Sequence, residues 1–420
     1  MKKRFILIFV VIQLSIFFSK NCLTQTGWYQ IQSGVNTDFY SLYFTSPSTG
    51  YVVGNQYILK TTNSGASWNI QVNNSYYRFR SIIFIDQYTG IVIGRDGLIM
   101  KTTNAGFNWV SKNSGNVNDL LELFMYDNNN GFISGGFETF LRTTDCGESW
   151  SGYTLSEPYH LYSVYFPSTN SGWCVGGGGR IFKSTNFGLN WALQNSPTNL
   201  ELHEVFFRDQ LYGMAIGLYG ISLKTSNGGL NWNIQNWGVT NHVYHMFFTN
   251  NDNGWVVGDT VILHTTDFGE TWVEQQSDYP AVYVQPFFTN NMIGYIAGWG
   301  STILKTTTGG NPIGIKPISS EIPSHFSLYQ NYPNPFNPVT KIKFSIPSPS
   351  PSKMERGLGG KVKLILYNIL GSEVATLVNE KLSPGTYDVE WDAGNCPSGV
   401  YFYRIITENY NKTNKMILLK

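Results

Sequence analysis

Side chains able to do chemistry recur in one narrow band of this chain. Aligned on Phe44, Phe84, Met125, Phe166, Phe207, Phe248 and Phe288, the residues six places earlier are Asp38, Arg78, Asp119, His160, Glu201, His242 and Val282. Four places earlier stand Tyr40, Arg80, Leu121, Tyr162, His203, Tyr244 and Val284. Three places earlier stand Ser41, Ser81, Glu122, Ser163, Glu204, His245 and Gln285. Four of the six histidines fall here, and imidazoles titrate near neutral pH. Charges of both signs beside tyrosines suit a polar ligand held by ring contacts and a few hydrogen bonds. The candidate binding residues are therefore Asp38, Tyr40, Arg78, Arg80, Asp119, His160, Tyr162, Glu201, His203, His242, Tyr244 and His245. The alternative is a solvated rim under no constraint.

Catalysis would need more than this band offers. The chain has no His-Glu-x-x-His, no phosphate-binding glycine loop and no serine nucleophile elbow. The histidines lack a recognisable metal-ligand spacing. No catalytic residue, no metal and no cofactor is expected.

The band belongs to a repeat. KTTNSGASW from Lys60 returns as KTTNAGFNW (Lys101), RTTDCGESW (Arg142), KSTNFGLNW (Lys183), KTSNGGLNW (Lys224) and HTTDFGETW (His264), every 40 or 41 residues. A seventh copy from Lys305 loses its tryptophan. Glycine pairs four apart, from Gly50/Gly54 to Gly294/Gly298, keep the same period. Four short apolar segments per period, bounded by Gly, Asn, Ser and Thr, read as four antiparallel strands, the content of one propeller blade. Trp28 lies 40 residues before Trp68, so the N-terminal strand should supply the outer strand missing from the last blade. The leading lysines of the boxes, Lys101, Lys183 and Lys224, are expected to be exposed.

These segments resemble the BNR or Asp-box family, and with the glycine-pair strand they are most similar to propellers of the photosystem II assembly factor kind. The resemblance covers about residues 27–310. It implies that the box side chains, Asn63, Asn104, Asp145, Asn186, Asn227 and Asp267, fold back on their own turns and are structural. It also raises a glycoside hydrolase alternative, either sialidase-like or polysaccharide-degrading. Such a site needs paired carboxylates, or a tyrosine with an acid and an arginine cluster. Arg78, Arg80, Arg95, Arg142, Arg180 and Arg208 stand in several different repeat columns, and the even period leaves no insertion to build a cleft. A non-catalytic propeller binding a protein or glycan is the expectation.

The two ends carry other signals. Lys2, Lys3 and Arg4 precede an apolar run from Phe5 to Phe18, which predicts a signal peptide over 1–25 and no stable transmembrane span. After the expected seven-bladed β-propeller, 26–311, Pro312, Pro317 and Pro323 predict a linker over 312–325. Residues 326–420 hold Tyr332-Pro333-Asn334-Pro335-Phe336, Asn368-Ile369-Leu370-Gly371, Pro397-Ser398-Gly399-Val400-Tyr401 and a final Lys415-Met416. Together these resemble the C-terminal sorting domain of the type IX secretion system, a small immunoglobulin-like β-sandwich. That resemblance implies the secretion machinery as a partner, proteolytic removal near the linker, and a secreted or outer-membrane surface location reached through the periplasm. Residues 348–360 read as a disordered surface loop. The fold class is all-β throughout. Charged residues make up only 13%, and the net charge of +1 gives nucleic acid nothing to bind; a monomer is expected. Cys146 and Cys174 read as separately packed thiols, with a disulfide between them as the alternative.

Overall fold

The computed structural model describes residues 25–420 except 138, 155–158, 278, 314, 320–322, 348–360, 383, 395 and 409. Residues 1–24 of the expected signal peptide and the expected loop at 348–360 lie outside the described residues. Among those described, no helix is long and apolar enough to cross a membrane.

Seven pairs of first and second strands follow one another, from Phe39–Phe44 with Gly50–Thr61 to Tyr283–Phe288 with Gly294–Gly298. Each pair extends outward into an antiparallel sheet. Five sheets are separate and four-stranded. Two neighbouring units merge into one six-stranded sheet, because Asn69–Phe84 runs from the outer strand of one unit into the first strand of the next. The chain is thus a β-propeller. The last blade is completed by Gln25–Gln30, which pairs antiparallel with Thr302–Ile313 and buries Trp28.

The glycine pairs exist for close approach. A Cβ at Gly50 would collide with the Phe44 ring, and one at Gly54 with the Asp38 carbonyl oxygen. Flat strands let rings stack between blades: Phe44 on Tyr295 at 3.9 Å, Phe84 on Tyr51 at 4.0 Å, Phe207 on Trp173 at 3.5 Å. The boxes tie each blade to itself. Asp145 Oδ1 accepts from the Ser149 N–H at 2.9 Å and from the Thr143 hydroxyl at 2.7 Å. Asn63, Asn104, Asn186, Asn227 and Asp267 each accept from the matching N–H four residues on. The glycine that follows has positive φ in every box, from +71 at Gly269 to +82 at Gly65.

The box lysines are not the exposed residues expected. Each lays its stem along the blade and reaches the next box. Lys183 Nζ donates to the Gly228 carbonyl at 2.7 Å, Lys101 Nζ pairs with Glu148 at 2.6 Å, and Lys224 Nζ with Glu270 at 2.8 Å. Lys101 is only 5% exposed. A long aliphatic stem makes this burial cheap as long as the amine finds an acceptor.

The C-terminal region forms two four-stranded sheets around one core that includes Phe344, Leu364, Val389, Trp391 and Tyr403. The stretch expected as a linker departs from that reading. Ile315–Ser319 within it is a strand, paired with Gly385–Asp392. Pro317 is tolerated because this strand lies at the sheet edge, at a register irregularity, where a missing N–H breaks no ladder. The sandwich docks on the last blade: Thr307 Oγ1 accepts from the Thr376 N–H at 2.7 Å and donates to the Thr376 carbonyl at 3.2 Å. Cys146, Cys174 and Cys396 are free thiols.

Candidate binding site at the axial mouth

Every first strand carries the same irregularity. In the first unit Phe39 faces Gly54 and Ser41 faces Val53, so Tyr40 is an extra residue without a partner. The same slip occurs at Arg80, Leu121, Tyr162, His203, Tyr244 and Val284. A β-bulge re-aims the side chain of its unpaired residue. Here seven bulges turn one residue from each blade into the axis.

Those seven residues, with His245, Val282 and Trp299, line one cavity of about 220 Å³. One arc is cationic and aromatic, with the Arg80 guanidinium 4.1 Å from the Tyr40 ring centre. Another is a row of rings: Tyr162 meets His203 edge-on at 5.1 Å, and His203 stacks on Tyr244 at 5.3 Å. Val282, Val284 and Trp299 make the apolar wall. Hydrogen bonds from behind fix the row. Tyr162 donates to Glu201 Oε2 at 3.1 Å and Tyr244 to Asp259 Oδ1 at 2.9 Å. Burial, reinforced by these carboxylates, raises both phenol pKa values well above their ordinary value. Burial lowers the His203 pKa. His203 Nδ1 lies 3.0 Å from the Val243 carbonyl, an acceptor only, so the ring proton sits on Nδ1.

Of the twelve candidate residues, Tyr40, Arg80, Tyr162, His203, Tyr244 and His245 line this cavity. The other six do not. Asp38 accepts from the Gly300 N–H at 2.9 Å, Asp119 from the Asp96 N–H at 3.3 Å, and His242 Nδ1 from the Tyr219 N–H at 2.9 Å. Each caps the turn between the second and third strands of the preceding blade. His160 packs against Phe137 in the equivalent turn at 5.1 Å. Arg78 folds back onto the Ser75 and Tyr77 carbonyls, and Glu201 stands behind Tyr162. Asp38, Asp119, His160 and His242 sit one residue before the strand's first buried position, over the turn of the neighbouring blade rather than in the axis.

Below the cavity lies a polar layer. Ser41 accepts from the Ile82 N–H, Ser163 from the Val205 N–H, and Gln285 from the Leu42 N–H. Each stitches one blade to the next, the last closing the ring. Glu122, Glu204 and His245 share this layer and bring their ligand atoms within 4.8 Å of one another. Glu122 and Glu204 were not among the candidate residues. Their shared column with His245 was visible in the repeat, but their meeting depends on the curvature of the ring. Deeper still, Tyr43, Phe124, Tyr165, Phe206, Phe247 and Phe287 form an aromatic floor, with neighbouring rings such as Tyr43 and Phe287 at 5.0 Å and Tyr165 and Phe206 at 5.0 Å.

Fold and mouth together define a repeat β-propeller with an axial cavity, joined to a C-terminal β-sandwich. Residues 20–115 and 184–278 match the family described as photosynthesis system II assembly factor YCF48. Residues 330–419 match the secretion system C-terminal sorting domain. Among solved structures, YCF48 bound to D1 peptide is similar at 20% identity and a TM-score of 0.58, over 67% of this chain and 97% of that one. YCF48 from Cyanidioschyzon merolae is similar at 16% and 0.56, over 66% and 98%. The extracellular domain of the putative one-component system BT4673 from B. thetaiotaomicron aligns at 13% and 0.55, over 94% of this chain and 59% of that one. At these identities the likeness establishes the fold. No curated protein matches the sequence. The sorting-domain match indicates export by type IX secretion to the cell surface or beyond.

Proposed function

We propose that this is an exported, non-catalytic propeller that binds a segment of a partner protein at its axial mouth. The observation that carries the reading is the convergence of seven bulge residues, one per blade, on a single cavity. Its volume of about 220 Å³ is below the roughly 300–1,000 Å³ of pockets that enclose a small molecule. It suits one or two side chains of a loop or an extended peptide, with Tyr162, His203 and Tyr244 as the contact row. A YCF48 propeller has been solved with a D1 peptide, which supports a peptide over a glycan as the ligand of this architecture. On this reading the signal segment takes the chain to the periplasm. The sandwich then engages the secretion machinery and is removed near residues 312–325.

The hydrolase alternative is weaker on geometry. The two axial carboxylates, Glu122 and Glu204, lie within 4.8 Å, tighter than the roughly 5–9.5 Å that brackets a glycosidic bond.

The test screens the untagged chain on peptide and glycan arrays, then compares two variants on whatever ligand is found. Replacing Tyr162, His203 and Tyr244 by alanine should abolish binding while the fold is kept. Replacing Phe107 and Leu230, 82% and 70% exposed in their box turns, by serine should leave it intact. Equal retention by both variants would refute the mouth as the site.

A further inference from the structure

Two carboxylates and an imidazole meet in the axis with too little to satisfy them. Glu122, Glu204 and His245 come from three blades, and their ligand atoms all lie within 4.8 Å of one another. Glu204 is 8% exposed. Its Oε2 and Glu122 Oε2 are both shielded from solvent and make no hydrogen bond. His245 Nδ1 is 2.7 Å from Glu204 Oε2, an ion-pair distance, and that oxygen has no hydrogen-bond partner. Arg80 shares the cavity above, yet its guanidinium sits over Tyr40. Among the described residues it pairs with neither glutamate.

The layers around the cluster deepen the deficit. The half-buried aromatic rings lie beneath the cluster, and the cavity that His245 lines lies above it. Burial, with Glu204 adding to it at Glu122, raises both carboxyl pKa values well above the ordinary value, and burial lowers His245. Two carboxyls that meet in such a place are satisfied either by a shared proton or by a cation held between them. Nothing on the next blade relieves His245 either. Where Ser41, Ser163 and Gln285 each take an N–H from the neighbouring strand, the residue matching those donors beside His245 is Pro286, which has none.

We infer that Glu122, Glu204 and His245 form a site for one divalent transition-metal ion, of the zinc or manganese class. One imidazole with two carboxylates is a donor set these ions take. The three protein ligands leave a coordination position open toward the cavity, on the side that His245 lines. Ser163 completes the arrangement. Its oxygen already accepts from the Val205 N–H, so its hydroxyl proton is free for Glu122, an outer-shell contact that orients the ligand. The site is independent of the peptide reading of the mouth, because ion binding needs no partner.

The probe is Zn²⁺ alone, titrated by calorimetry into untagged full-length chain stripped with chelator and dialysed. The expected result is one ion per chain. E204Q and H245Q should each weaken it by more than about 100-fold, and S163A by about 10-fold, the range of an outer-shell partner. Glutamine is isosteric and removes a buried charge, so ion-free E122Q/E204Q should melt no lower than wild type. Co²⁺ added to wild-type protein gives a second readout, with visible bands of a nitrogen-and-oxygen site expected. Two results would overturn the inference: no uptake of Zn²⁺ or Mn²⁺ by the wild type, or equal uptake by E122Q/E204Q. Either would mean that the carboxylates share a proton instead.

Discussion

Replacing Trp28 by alanine should loosen the whole ring, because Trp28 is the only tryptophan the N-terminal strand brings to the last blade. It is 1% exposed and meets Phe288 edge-on at 5.8 Å. It packs in one cluster with Trp255, Tyr283 and Leu304. Its Nε1 donates to Gln275 Oε1 at 2.9 Å, and Gln275 Nε2 in turn donates to the Gly309 carbonyl at 2.7 Å. Truncation to alanine costs about 3–5 kcal/mol in lost burial and cavity. Orphaning the buried Gln275 oxygen adds about 1–3 kcal/mol. The sum, about 4–8 kcal/mol, is a large part of the 5–15 kcal/mol typical of a domain. At roughly 2 °C per kcal/mol for a unit of this size, calorimetric melting should fall by about 8–16 °C. W28F keeps a ring on Phe288 and should lose less. A double-mutant cycle with Gln275→Leu should return a coupling of about 1–2 kcal/mol. A W28A protein melting within about 2 °C of wild type would refute closure by this strand.

Two further outcomes follow from the structure. Hydrogen bonds from the Ser149 side chain and N–H and from Thr143 lower the Asp145 pKa from 3.8 to about 2. Its contribution is therefore present above the unfolded value and lost as pH falls through about 2. Asp145→Ala should lower the denaturant midpoint at pH 7, while Asp145→Asn retains most of it, as Asn63 and Asn104 already do in their own boxes; the gap between wild type and D145A should narrow in acid. At the junction, Thr307→Val removes both buried bonds to Thr376, a loss of about 1–3 kcal/mol. Hydrogen exchange should quicken in Glu373–Lys381 and stay unchanged in the distant blades.

The propeller was legible because each blade solves the same packing problem with the same residues. A glycine that must clear a carbonyl, a ring that must stack on the next blade and a turn that must bond itself leave a forty-residue mark. Trp28 could be placed for the same reason: a residue in phase with six others inherits their surroundings. The C-terminal strands were legible by alternation, and Lys361–Tyr367 begins and ends where that pattern does. The edge strand Ile315–Ser319 was hidden behind prolines, because a sequence does not show that a strand will lie at an edge where Pro317 is harmless.

The site was harder to read because a bulge breaks the rule by which strands are read. Strict alternation sends residues six and four places before the blade phenylalanine to one face, and so joined Asp38 to Tyr40 and His242 to Tyr244. The bulge separates them, turning Tyr40 and Tyr244 into the axis and leaving Asp38 and His242 over the neighbouring turn. The signal was present in the apolar residues instead. Phe39, Leu42 and Phe44 are all buried, as are Leu202, Val205 and Phe207, and a spacing of three followed by two requires one extra residue in the strand. Once that residue is counted, the column three places before each phenylalanine also turns inward. Two of its members are glutamates and one a histidine, and only a closed ring brings them face to face.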